Sequence, residues 1–146
     1  MINTIGIVGQ GFVGGALSAG MQHAFNVETY DKFIHEKSTC RSLDSLVSKS
    51  DIIFVCLPTP MRRDGSCDLR IVENTVLEID RMCGESEYLG KIAVIKSTIP
   101  PGTTQSLNDR VKYTQVVFNP EFLTEANAID DFKNQTRIIV GEPRPG

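Results

Sequence analysis

Apolar positions along this chain follow two alternating periods. Short runs rich in β-branched residues fall at Thr4–Gly9 (TIGIVG), Asn26–Asp31 (NVETYD), Asp51–Leu57 (DIIFVCL), Lys91–Ser97 (KIAVIKS), Gln115–Asn119 (QVVFN) and Arg137–Gly141 (RIIVG), and they predict six strands. The run Asp51–Leu57 is almost wholly apolar, as a strand covered on both faces should be. Between these runs the spacing becomes helical. Phe12–Phe25 is the first such segment. Leu43–Ser48 is short, with Ser42 or Asp44 as its cap. Asp68–Met82 is the clearest, with Leu69, Val72, Val76, Ile79 and Met82 on one face. Thr103–Val111 follows a Pro-Pro-Gly turn. Glu121–Ile129 follows Asn119-Pro120, a cap and first-position pair. Strands alternating with helices imply βαβ units with right-handed crossovers. The expected fold is α/β and doubly wound: a mostly parallel six-stranded sheet with helices on both faces.

Composition narrows the function classes. The chain has 146 residues, enough for one domain with a true core, and 40% hydrophobic with 23% charged residues is an ordinary globular balance. One domain is expected over residues 1–146, with Glu142–Gly146 as its edge. The net charge of -3 gives no basic footprint for nucleic acid. No apolar run approaches the roughly 20 residues of a membrane span. The first residues lead straight into a strand pattern without a leader signature, so a cytoplasmic location is expected. Cys40, Cys56, Cys67 and Cys83 form no CxxC pair, and no histidine stands at ligand spacing from them. Free thiols and no metal site are the expectation.

Four motifs carry candidate chemistry. Gly9-x-Gly11-x-x-Gly14 lies between a predicted strand and a predicted helix, the context in which GxGxxG binds a dinucleotide. Gly9 allows the tight turn, Gly11 lets the backbone approach a pyrophosphate, and Gly14 lets helix and strand pack closely. The helix start then offers unpaired N–H groups to the phosphates. Asp31 ends the second strand about 20 residues on, where an acid accepts hydrogen bonds from the adenosine ribose and repels a 2′-phosphate. A Rossmann-type domain that prefers NAD follows. The second motif, Leu57-Pro58-Thr59-Pro60, closes the third strand, either as a plain turn or as a cofactor contact. In Lys96-Ser97-Thr98-Ile99-Pro100-Pro101-Gly102-Thr103 two hydroxyls reach the same crevice edge, to meet a cofactor or water or to cap the next helix. In Asn119-Pro120-Glu121-Phe122-Leu123-Thr124-Glu125, Glu121 in a first helical turn complements the dipole. With Glu125 on the same helical face it also suggests an acid–base pair.

Together, IGIVGQGFVG, VCLPTP, KSTIPPGTT, NPEFLTEANAIDDF and RIIVG resemble the UDP-glucose/GDP-mannose dehydrogenase family, in its N-terminal NAD-binding domain. The likeness runs over nearly the whole chain. It implies oxidation of a sugar C6 alcohol to a carboxylate by two hydride transfers to NAD. It implies that Gly9, Gly11, Phe12, Val13, Gly14 and Asp31 contact pyrophosphate and ribose, with Pro58 and Thr59 at the cofactor-touching strand end and Ser97 near the nicotinamide. Thr98 matches the family threonine that positions a catalytic water, and Glu121 matches its catalytic glutamate. Phe122 and Leu123 match backbone contacts to the sugar nucleotide, and Glu125 a further cofactor or active-site contact. Phe12 stands where tyrosine is usual, and Ala126 where glycine is common. The family's nucleophilic cysteine and catalytic lysine belong to a downstream region, as do its central helical and C-terminal UDP-binding domains. The expected partners are NAD, a nucleotide sugar such as UDP-glucose, and either further copies of the chain or those missing domains acting in trans. The alternative is a stand-alone NAD-binding module or relic without complete catalysis.

Overall fold

The computed structural model describes residues 1–141. Five strands, β1 (Thr4–Val8), β2 (Asn26–Tyr30), β3 (Ile52–Val55), β4 (Ile92–Ile95) and β5 (Gln115–Phe118), form one all-parallel sheet in the order β2-β1-β3-β4-β5. The helices are α1 (Phe12–Met21), α2 (Leu43–Lys49), α3 (Arg70–Glu85), α4 (Thr103–Asn108) and α5 (Ala128–Asn134), with 3₁₀ turns at His35–Lys37 and Glu125–Asn127.

The two-residue period of the strands feeds two cores. Ile53 and Val55 of β3 join Ile95 and Val116 under α2, α3 and α4, which contribute Leu46, Val76, Ile79 and Leu107. Phe54 and Cys56 point the other way, with Ile5 and Ile7, onto Leu17 of α1 and Phe132 of α5. Helices therefore cover both faces. Ser42 is the cap of α2, its hydroxyl accepting from Ser45 N at 3.1 Å. The helix α3 starts two residues later and runs three residues further than its apolar stripe predicts, and α1 ends at Met21 rather than Phe25.

Two expectations fail at the far edge. Among the described residues the sheet has five strands, not six. Arg137–Gly141 meets β5 only through an antiparallel bridge of Gly141 with Phe118 (N···O 2.7 and 3.0 Å). The Asn119 side-chain amide donates to the Ile139 carbonyl at 2.7 Å, taking an acceptor that a ladder would use. Ile138, Ile139 and Val140 stay 71%, 46% and 59% exposed, so no burial draws them into the sheet. The helix expected over Glu121–Ile129 likewise begins only at Ala128. Asn119 is not its cap, because its side chain is engaged elsewhere. Instead Asp131 turns back to accept from the N–H and hydroxyl of Thr124 (2.9 and 2.6 Å). Glu121 and Glu125 therefore share no helical face. The expected domain edge at Glu142–Gly146 lies outside the described residues.

Among the described residues no helix is long and apolar enough to cross a membrane. Nor does any group of three or more His, Cys, Asp or Glu come together to hold a metal.

Candidate active site

The chain leaves β1 toward β2 on one side and reaches β3 on the other, so strand order reverses between β1 and β3. Loops diverge there at the carboxyl ends of the strands and open a crevice, where ligands of such sheets bind. Here the crevice is a cleft of about 1110 Å³, just above the ~300–1,000 Å³ of typical ligand sites.

The first wall is the glycine loop. Gly9 has φ +93°, a conformation that disfavours side chains. A Cβ on Gly14 would come within 1.9 Å of the Gly9 carbonyl oxygen, so α1 rests directly on the turn. A Cβ on Gly11 meets no protein atom within 4 Å and would project into open space. Gly11 is the N-cap of α1, with no capping side chain and no acid in the first turn. The first N–H groups of α1 are thus left for a ligand, and the dipole favours an anion.

Asp31 ties this loop to the next. Its Oδ2 accepts from Gln10 N (2.7 Å), and its Oδ1 accepts from Phe33 N and Ile34 N (both 2.8 Å). Burial pushes the carboxyl up, but these three backbone donors outweigh it and hold it below the usual aspartate range. Oδ1 thus uses both its lone pairs and Oδ2 one, so Oδ2 keeps capacity for one further donor.

The second wall joins the ends of β3 and β4. The Ser97 hydroxyl donates to Leu57 O (2.6 Å) and accepts from Leu57 N (2.9 Å). It clamps two strand ends and does not cap α4, whose N-cap is Gly102. Thr59 Oγ1 donates to the Thr98 carbonyl at 2.7 Å. Thr98 lines the cleft.

The third wall is Asn119–Leu123. Glu121 Oε2 lies 2.9 Å from Lys96 Nζ, and both side chains are nearly buried. The pair lies off hydrogen-bonding geometry, so Oε2 is buried without a hydrogen-bond partner. Oε1 accepts from Phe122 N at 2.8 Å. Lys96 Nζ also donates to Asn119 Oδ1 at 2.8 Å. Cys56 borders the same space. Burial pushes its thiol up to about 12, with Lys96 opposing the shift and Glu121 adding to it, so it stays protonated. All four cysteines are free.

Of the residues singled out from sequence, all but Gly14, Phe122 and Glu125 line this cleft. Gly14 lies buried beneath the loop and acts by packing. Phe122 is 73% exposed, and Glu125 sits in the exposed 3₁₀ turn. Lys96 was missed. Its signal was a lysine at the end of an otherwise apolar strand, which cannot be buried without a partner.

A doubly wound sheet with a glycine loop, an open helix start and a strand-end carboxylate around one crevice defines a dinucleotide-binding domain. Residues 32–145 match the UDP-glucose/GDP-mannose dehydrogenase family, NAD binding domain, and the chain belongs to that family. A UDP-glucose 6-dehydrogenase of Rhizobium meliloti is 38% identical over 107 residues, covering 68% of this chain and 23% of that protein. An uncharacterised protein of Methanocaldococcus jannaschii is 38% identical over 112 residues, covering 75% of this chain and 12% of the relative. The solved UDP-glucose dehydrogenase of Pyrobaculum islandicum superposes with a TM-score of 0.87 at 29% identity, over 97% of this chain and 41% of that one. This chain therefore spans less than half the length of each of these relatives.

The residues present fit NAD. The space that a Cβ on Gly11 would fill is where a pyrophosphate needs close backbone approach, and the helix start there carries no competing acid.

Proposed function

We propose that this chain is the cofactor-holding part of an NAD-dependent nucleotide-sugar dehydrogenase that oxidises a C6 alcohol, as in UDP-glucose, to a carboxylate. The observation that carries this reading is Glu121: a carboxylate in the wall of the dinucleotide cleft, with a buried oxygen that no hydrogen bond occupies. NAD held at the glycine loop would supply the hydride acceptor. Gly9, Gly11, Phe12 and Val13 cradle the pyrophosphate, with Gly14 setting the helix beneath them. Asp31 Oδ2 accepts from a ribose hydroxyl. Pro58, Thr59 and Ser97 shape the wall along the nicotinamide half. The Glu121 carboxylate accepts an O–H from the substrate alcohol or from water, and Thr98 orients that group. The backbone at Phe122 and Leu123 meets the sugar nucleotide, and Glu125 stands at the outer margin.

A second reading is an NAD-binding module without complete chemistry, since Cys56, the thiol bordering the cleft, does not supply a nucleophile. A covalent route needs a thiolate, and this cleft thiol is held protonated. The test is calorimetry with NAD, followed by reduced-cofactor absorbance with UDP-glucose, with and without the downstream part of a relative. Turnover in either arrangement supports the dehydrogenase. NAD binding without turnover in both favours the module, and no NAD binding overturns both. In the active arrangement, Glu121→Gln should lower kcat by about 10²–10⁴-fold, the usual worth of a general acid–base group, with NAD affinity unchanged.

A further inference from the structure

The family motifs place a glutamate in the cleft but do not explain what holds it there. Glu121 lies on a stretch, Asn119–Thr124, with neither helical nor strand structure. Pro120 lacks a donor. The backbone around Glu121 is thus a weak support for a group whose position matters, and side-chain contacts must supply the rest.

Lys96 supplies them. It is 4% exposed, a depth at which an ammonium needs partners. Its backbone is fixed just past β4, where its N–H donates to Val55 O at 2.9 Å. Its Nζ faces Glu121 Oε2 at 2.9 Å and Asn119 Oδ1 at 2.8 Å. Asn119 is in turn oriented by two contacts: its N–H donates to Ile95 O (2.9 Å) and its Nδ2 to Ile139 O (2.7 Å). With Nδ2 spent on Ile139, Oδ1 is turned to Lys96. The relay runs from Ile139 through Asn119 and Lys96 to Glu121. A buried ion pair is a poor stability device, since apolar residues of similar volume often do as well or better. Its geometry is what distinguishes this one: Nζ holds Oε2 at 2.9 Å in the cleft wall, while Oε1 is held by the Phe122 N–H.

We propose that Lys96 is the positioning residue that holds the Glu121 carboxylate in the wall of the cleft, and that Asn119 sets Lys96. The role rests on the reading of Glu121 as the acting group, but the geometry can be tested without turnover. The experiment is NMR of the labelled 146-residue chain, following the Phe122 amide, which donates to Glu121, and the Glu121 side-chain carbonyl carbon. Lys96→Met should move both signals by more than a linewidth while amides of β1 and β2 stay in place. Lys96→Arg should restore most of the shift, and Asn119→Ala should give a smaller one. Should the methionine variant not fold, Lys96→Gln, which keeps polarity without charge, takes its place. Phe122 and Glu121 signals unmoved in the uncharged variant would overturn the proposal, as would an arginine variant displaced as far as the uncharged one. In the arrangement that turns over, Lys96→Met should lower kcat about a hundredfold, the scale of a 1 Å misplacement, with NAD affinity kept. An active Glu121→Gln would sink the function reading yet leave the NMR result standing, so the two failures are distinguishable.

Discussion

The two sides of the cleft are built by different means. On the β1–α1–β2 side, backbone atoms make the site: a turn at Gly9, the bare start of α1, and a carboxylate anchored by three N–H groups. On the β5 side, side chains make it. Lys96, Asn119, Glu121 and Asp131 fix a segment that has little regular structure of its own. A backbone-built site tolerates little change in chain geometry and much change in surface chemistry. A side-chain-built site does the reverse.

In the backbone-built half the largest expected effect is at Gly14. Gly14→Ala puts a Cβ 1.9 Å from the Gly9 carbonyl oxygen, a backbone atom that cannot swing aside. Alanine's better helix propensity returns only ~1 kcal/mol, against the ~1–3 kcal/mol or more of overpacking. A net loss of about 2 kcal/mol in urea unfolding is expected. Gly15→Ala, one residue on in the same helix, meets nothing within 4 Å. It should be neutral or stabilising by up to ~1 kcal/mol. Gly11→Ala separates stability from function: the fold should hold, while NAD affinity falls at least tenfold, ~1.4 kcal/mol. Equal stability of the Gly14 and Gly15 variants would show that α1 does not rest on the turn.

Next comes Asp31→Asn. Loss of a charged acceptor should weaken NAD binding by ~1.5–3 kcal/mol, read by calorimetry. The substitution also tests a pH dependence. The folded carboxyl titrates below its usual value of 3.8. Its contribution to stability is therefore complete above that value and is lost as pH falls below it, through the lowered folded value. The stability gap between wild type and variant should be constant at neutral pH and narrow in acid. A gap that widens in acid would contradict the three-donor anchoring.

These two halves also differ in how far they could be read from sequence. The five parallel strands and the crevice were legible because apolar runs bounded by glycine, proline and aspartate have few other solutions. The loop from Gly9 to Gly14 was legible because its constraints are steric and local. The Arg137–Gly141 strand and the Glu121–Ile129 helix were misread for one shared reason. Both have good local patterns, and in both a long-range polar contact took the group that the pattern needed. Asn119 was spent on Lys96 and Ile139 rather than on a helix start, and Ile139 gave its carbonyl to Asn119 rather than to a ladder. Spacing rules do not register a pairing between Lys96 and Glu121, which is set by the register of β4 against β5. The catalytic assignment of Glu121 came from resemblance; its partner did not.

The smallest expected effect concerns the returning segment. Ile138 is 71% exposed, and the contact that orders its surroundings is made by its neighbour's carbonyl, not by its own side chain. Ile138→Ser should change unfolding free energy by less than ~0.5 kcal/mol, as surface substitutions generally do, and leave NAD affinity unaltered. Asn119→Ala, by contrast, removes two side-chain hydrogen bonds, one to Ile139 and one from the buried Lys96 ammonium, and should cost about 2–4 kcal/mol, from ~1 for the neutral bond and ~1.5–3 for the charged one. The order of these two variants is the informative result. If Ile138→Ser were the more damaging, the β5 side would be held by apolar packing, and the relay from Ile139 to Glu121 would not be what positions it. If Asn119→Ala is the more damaging, this wall of the cleft is held by polar side chains, and the exposed isoleucines beside it play no part in keeping it in place.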